Sequence, residues 1–182
     1  MKIKAPFGKN DHIKVIRMIA EGLQKAGQLN RYLEIGIKKG SCFNNIAPLC
    51  KEAYAVDILN CKKLINQNKN LIWFRGQSQE FLTNHNPNKK FDLVFIDGAH
   101  NHEDSLKDFR SVFDLMNDNG LILLHDTYPP SEPFIGKSFC FDTYKTAEYI
   151  KENYPSYEFA TLPFYFGISI FRKLERQLLW KK

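Results

Sequence analysis

The residues best placed to do chemistry stand where apolar runs break off. In Phe91-Asp92-Leu93-Val94-Phe95-Ile96-Asp97-Gly98-Ala99-His100, an apolar run delivers an acid, a glycine and a histidine together. The next apolar run passes His125-Asp126 straight into a loop. Ligands of open α/β sheets lie beyond the carboxyl ends of the strands, so both segments are candidate catalytic positions. On adjacent parallel strands, Asp97 and Asp126 could share one divalent cation, a hard ion such as Mg²⁺ that prefers oxygen ligands. The plainer readings are that Asp126 caps a turn and that His125 is a satisfied histidine facing the sheet.

Upstream, Leu33-Glu34-Ile35-Gly36 runs through Ile37-Lys38-Lys39 into Gly40-Ser41. A glycine at a strand end permits a tight turn and close approach of a ligand, and a second at a helix start exposes free amides to it. The pattern departs from GxGxxG because Lys38 stands where a dinucleotide pyrophosphate needs a glycine, which argues against NAD. About 20 residues further on, Asp57 ends another apolar run and precedes Ile58, the place from which an acid accepts hydrogen bonds from ribose hydroxyls. Gly76-Gln77-Ser78-Gln79 offers a glycine and small polar groups at a helix start, where Ser78 could equally be an N-cap.

Positioning these groups requires alternating strands and helices. Short apolar runs predict strands at 32–36, 54–58, 71–75, 93–97 and 121–125, the last two apolar enough to be buried on both faces. Helical patterns fall at 41–50, 61–66, 78–84 and 102–116; in the last, Leu106, Phe109, Val112, Phe113 and Met116 share a face and Asn119-Gly120 supplies a stop. An earlier stripe, Ile13, Ile16, Ile19, Ala20 and Leu23, predicts a helix ending near Gly27 that packs on the sheet or closes the pocket. Prolines 129, 130 and 133 make the stretch after Asp126 a loop. A helix over 142–153 follows, then strands at 157–162 and 164–171, joined so tightly through Pro163 that they must be antiparallel. The expected class is α/β with a Rossmann-like, doubly wound sheet. The expected organisation is one domain over 1–182, with a helical segment at 1–30 and a core at 31–173.

Hydrophobic residues make up 43% of the 182, ample for one core. No apolar run approaches the roughly 18 residues of a membrane helix, and no secretory signal is recognisable, so the expected location is the cytoplasm. Cys42, Cys50, Cys61 and Cys140 are scattered, indicating free thiols. The net charge of +6 is spread in pairs such as Lys38-Lys39 and Lys181-Lys182, as on a solvated surface rather than a nucleic-acid groove.

These motifs together resemble class I S-adenosylmethionine-dependent methyltransferases, and among them the small metal-dependent O-methyltransferases related to macrolide-sugar and cephalosporin-biosynthesis enzymes. The resemblance runs from about Arg31 to Arg172; Asp97-Gly98-Ala99-His100 with His125-Asp126-Thr127 is its specific part. It implies seven strands with the last antiparallel, S-adenosylmethionine over the first two strand ends, Glu34 and Gly36 at the methionine portion, Asp57 at the ribose and Ser78 near the adenine. Gly40, Ser41, Ile58, Gly76, Gln77 and Asp97 complete the implied cofactor set. Asp97 and Asp126 would be metal ligands, with His125 standing where relatives often have a second acid, and His100 would be the general base. The implied activity is methylation of a small hydroxylated acceptor, a sugar or a biosynthetic intermediate. A metal-independent methyltransferase and a non-catalytic module binding nucleic acid or a protein partner are the alternatives. No Asn/Asp-Pro-Pro-aromatic tetrad follows the fourth strand, which disfavours amino-methylating enzymes. The aromatic C-terminal hairpin could supply a homodimer surface.

Overall fold

A computed structural model of the chain describes residue 8, residues 11–67 and residues 69–175. The first residues of the expected N-terminal segment and the Lys181-Lys182 pair lie outside them. Seven strands form one sheet: β1 (Arg31–Ile35), β2 (Glu52–Asp57), β3 (Leu71–Arg75), β4 (Phe91–Ile96), β5 (Met116–His125), β6 (Tyr157–Leu162) and β7 (Ile168–Glu175). Their spatial order is β3-β2-β1-β4-β5-β7-β6. The first five are parallel, and β7 runs antiparallel between β5 and β6. Strand order therefore reverses between β1 and β4, which opens a crevice above their carboxyl ends.

Helices cover both faces. On one side α1 (Asp11–Lys25) and α2 (Ser41–Ile46) bury Ile13, Ile16, Phe43 and Ile46 against Tyr32, Leu93, Phe95 and Leu123. On the other, α3 (Ser78–Asn84), α4 (His102–Asp114) and α5 (Tyr144–Asn153) bury Phe81, Phe109, Val112 and Ile150 against Leu33, Val94, Ile122 and Phe171. Alternate residues of β4 and β5 go to opposite faces, so their apolar runs have no polar period. The Asn101 side chain caps α4 by accepting from the Asp104 N–H at 2.9 Å. No helix among the described residues is long and apolar enough to cross a membrane.

The structure corrects the reading of three segments. The helix expected over 102–116 ends at Asp114, and Met116 already pairs with Phe91 in β5. Met116 continues the helical spacing but is buried from the sheet, and Asn119, at φ +66°, lies within β5 rather than terminating a helix. The helix expected at 61–66 shrinks to a single 3₁₀ turn, Lys62–Leu64. The last strand starts at Ile168 instead of Phe164, because Tyr165, Phe166 and Gly167 have φ of +37°, +68° and +93° and form a turn. There an added Cβ on Gly167 would meet the Tyr128 backbone nitrogen at 2.3 Å, so the turn clamps the loop after β5.

Candidate active site

Gly36 leaves β1 at φ +89°, and a Cβ on it would lie 2.2 Å from the Asp97 carbonyl oxygen. Only glycine lets the ends of β1 and β4 approach this closely; the Asp97 N–H in turn donates to the Ile35 carbonyl at 2.9 Å. The turn beyond is organised by Asp57 at the end of β2. Its Oδ2 accepts from the N–H groups of Ile37 at 2.8 Å and Lys38 at 2.9 Å, and its Oδ1 from Leu59 N–H at 2.7 Å. Asp57 thus shapes the turn itself, besides facing the cavity it borders. Gly40 begins α2 at φ +72°, where a Cβ would meet the Leu64 carbonyl at 2.7 Å.

Two cavities meet above these strand ends. The first, about 360 Å³, lies over β1, β2 and β3 between Asp57, the Gly76-Gln77-Ser78-Gln79 segment and Asp108 of α4. The second, about 490 Å³, is bounded by Glu34 and Ser41, by His12 of α1, and by Phe139, Tyr165 and Phe166. Gly36, Lys38, Asp97 and His100 line both. A ligand that fills the first can therefore present one end to the second at the Asp97–His100 junction.

At the junction, charged groups alternate. His100 Nδ1 lies 2.5 Å from Asp126 Oδ2, and His125 Nδ1 lies 3.0 Å from Asp97 Oδ1 and 3.5 Å from Asp126 Oδ1. His125 Nε2 meets the Tyr165 carbonyl at 2.9 Å. Both partners of the His125 ring are acceptors, so both nitrogens donate and the ring is an imidazolium. Burial pulls its pKa down, but the Asp97 and Asp126 carboxylates outweigh this and raise it to about 9. Burial likewise opposes ionisation of Asp97, yet the facing His125 charge leaves its carboxyl below the usual value. The hydrogen bond to Asp126 raises the pKa of His100. His12 stacks on His125 with ring centroids 4.5 Å apart; burial, then the His125 charge, push it down to about 4, and its buried Nδ1 has no partner among the described residues. Asp126 holds φ +59°, a strained backbone of the kind that collects at functional sites.

Among the expected cofactor residues, Gly36, Asp57, Ile58, Gly76, Gln77, Ser78 and Asp97 line the first cavity, while Glu34 and Ser41 line the second. Gly40 lines neither, and its conformation is its contribution. Ser78 does not cap α3, whose N-cap is Gln77; its hydroxyl donates instead to Asp108 Oδ1 at 2.6 Å. Of the expected metal set, Asp97 and Asp126 group with His100, each offering an atom within 4.8 Å of the others. His125 is not in that group; its two nitrogens face Asp97 and the Tyr165 carbonyl. Sequence reasoning passed over Asp108, His12 and Tyr165. The signals available were an acid beside the apolar face of α4, a histidine among the apolar positions of α1, and a glycine following two aromatics.

The doubly wound sheet, its switch-point crevice and its antiparallel β7 define a nucleotide-type α/β fold with its site at the β1 and β4 ends. A family described as "Methyltransferase domain" matches residues 16–127, and the chain belongs to it. No protein of curated function matches the sequence. Among solved structures, a Staphylococcus aureus protein provisionally named a caffeoyl-CoA O-methyltransferase is similar at 18% identity and TM-score 0.73, over 93% of this chain and 86% of that one. An O-methyltransferase from Bacillus cereus in complex with S-adenosylhomocysteine aligns at 15% and TM-score 0.69, over 93% and 83%. TomG, an O-methyltransferase of tomaymycin synthesis from Streptomyces achromogenes in complex with S-adenosylmethionine, aligns at 13% and TM-score 0.67, over 91% and 80%. At these identities the likeness is one of fold.

Proposed function

We propose that this methyltransferase transfers the methyl group of S-adenosylmethionine to a hydroxyl of a small acceptor. The donor occupies the first cavity with its sulfonium at the junction, and the acceptor enters the second. The observation that carries this reading is the His100–Asp126 pair at 2.5 Å, placed where the two cavities meet. The similar structures that hold S-adenosylhomocysteine or S-adenosylmethionine support the choice of donor. In the step itself, the acceptor oxygen attacks the methyl carbon in line, the carbon–sulfur bond breaks, and its electron pair stays on sulfur. His100, oriented by Asp126, takes the hydroxyl proton.

Two carboxylates and an imidazole within 4.8 Å suit a divalent ion; with an ion bound, Asp97, His100 and Asp126 would hold it, Mg²⁺ being favoured by the oxygen donors, and His100 would serve as a ligand in place of its role as base. Such an ion, when bound, lowers the pKa of an acceptor hydroxyl. A metal-independent reading has its own support: the His125 imidazolium already neutralises charge between Asp97 and Asp126, which leaves His100 as a base oriented by an acid. Release of S-adenosylhomocysteine across a panel of phenolic and sugar acceptors measures the activity. His100→Ala should lower turnover about 10²–10⁴-fold while S-adenosylhomocysteine still binds; unchanged turnover removes His100 from the chemistry. Loss of activity in EDTA, with calorimetric heat on Mg²⁺ addition, supports the metal, and full activity in EDTA supports the His–Asp pair alone.

A further inference from the structure

Asp108 is an ionisable side chain that the methyl-transfer step does not use, yet it stands in the wall of the first cavity. It is buried, at 4% exposure. Its Oδ1 accepts from Ser78 Oγ at 2.6 Å and from Gln79 Nε2 at 3.0 Å. The other side of the Gln79 amide is fixed as well, since its Oε1 accepts from Ser111 Oγ at 2.9 Å. The three residues are therefore locked through one carboxylate oxygen. Oδ2 accepts no hydrogen bond from the described residues, although it lies close enough to Gly98 for a Cβ there to fall 3.9 Å away. Burial raises the pKa of Asp108 against the two hydrogen bonds that favour its ionised form. A desolvated carboxylate with one oxygen satisfied and the other unused calls for a donor from whatever fills the cavity.

Val56, Ile58, Leu59 and Ala99 line the same cavity with apolar surface, which suits the faces of a planar heterocycle. Resting on the assignment of S-adenosylmethionine to this cavity, we infer that Asp108 is the residue that selects adenine, its Oδ2 accepting a hydrogen bond from the exocyclic amine. Ser78 and Gln79 then act by aiming that oxygen, so part of the role expected of Ser78 passes to an acid 30 residues later in the chain.

Calorimetric binding of S-adenosylhomocysteine is compared with that of its analogue carrying unsubstituted purine, which lacks only the amine. The unmodified protein should prefer the adenine ligand about tenfold or more, the range of a hydrogen bond to a charged group. In Asp108→Asn, the amide oxygen serves Ser78 and Gln79 and the NH₂ faces the cavity, so the two ligands should bind within about threefold of each other. Ser78→Ala removes one of the two groups that aim Oδ2 and should lower the preference part of the way, to a value between those of the unmodified protein and Asp108→Asn. Equal binding of both ligands by the unmodified protein, or a full tenfold preference in Asp108→Asn, overturns the assignment. If the unmodified protein does not bind S-adenosylhomocysteine at all, the cofactor reading fails first and the role of Asp108 with it.

Discussion

Glu34 is a carboxyl that the fold holds against ionisation, and the consequence is a stability that declines with pH. Its side chain is 1% exposed and accepts a hydrogen bond from the Tyr32 hydroxyl at 2.5 Å. Burial raises its pKa from the usual 4.5 to about 8. Below pH 4.5 both folded and unfolded chains carry the proton, and Glu34 has no effect on the pH dependence. Between 4.5 and 8 the unfolded chain ionises while the folded one keeps its proton, so unfolding becomes easier by about 1.4 kcal/mol per pH unit. Above pH 8 the folded carboxyl ionises too, and the loss levels off at roughly 5 kcal/mol. Glu34→Gln keeps an acceptor for Tyr32 and removes the titration. Two other groups titrate nearby: His125, raised to about 9, loses stabilisation as pH climbs from 6.5, and His12, lowered to about 4, gains it up to 6.5. Both are present in either protein and cancel in the difference. Urea unfolding without cofactor, repeated from pH 5.5 to 7.5, should show the unmodified chain losing roughly 2.5 kcal/mol relative to Glu34→Gln. Parallel stability curves over that range would refute the buried neutral carboxyl.

Two further substitutions probe the strand ends. Gly36→Ala combines a positive φ with a Cβ 2.2 Å from the Asp97 carbonyl; a loss of about 3 kcal/mol or more in urea unfolding is expected, with weaker S-adenosylhomocysteine binding as β4 is pushed away. A wild-type-like unfolding midpoint would show that the close approach is not required. Asp57→Ala strips acceptors from three backbone N–H groups and should cost about 3 kcal/mol, since each orphaned donor costs about 1 kcal/mol or more. Weakened cofactor binding without any loss of stability would instead assign Asp57 to the ligand alone.

Strand ends were the most readable part of the sequence, for a physical reason. A strand buried on both faces must be apolar throughout, so Glu34, Asp57, Asp97 and Asp126 stand out where such runs stop or are broken, and Gly36 stands out because the ligand-side turn cannot carry a side chain. The runs that form the seven strands were legible in the same way, and the short link through Pro163 made the last two antiparallel to each other, whereas an antiparallel last strand in the sheet was implied only by the family resemblance. Spacing failed where two elements want the same residue type: Met116 suits a helical stripe and a buried strand equally, and only its pairing with Phe91 decides. It failed again at Tyr165 and Phe166, whose aromatic character is that of a strand but whose backbone turns to wall the second cavity.

The charge balance of the site was hidden for a different reason. His125 entered the metal set because it stands where relatives often have a second acid, yet its imidazolium is set by Asp97, 28 residues earlier, and by the Tyr165 carbonyl, 40 residues later. Neither distance has a local signature. The same holds for Asp108, which a helical pattern places beside the apolar face of α4, and whose burial arises only when α3 brings Ser78 and Gln79 against it. Groups on strand ends announce themselves because one element suffices to expose them. Those that tune the site, His125 from beneath and Asp108 from the wall, gain their properties from partners on other elements, so their contribution follows from packing and not from any motif.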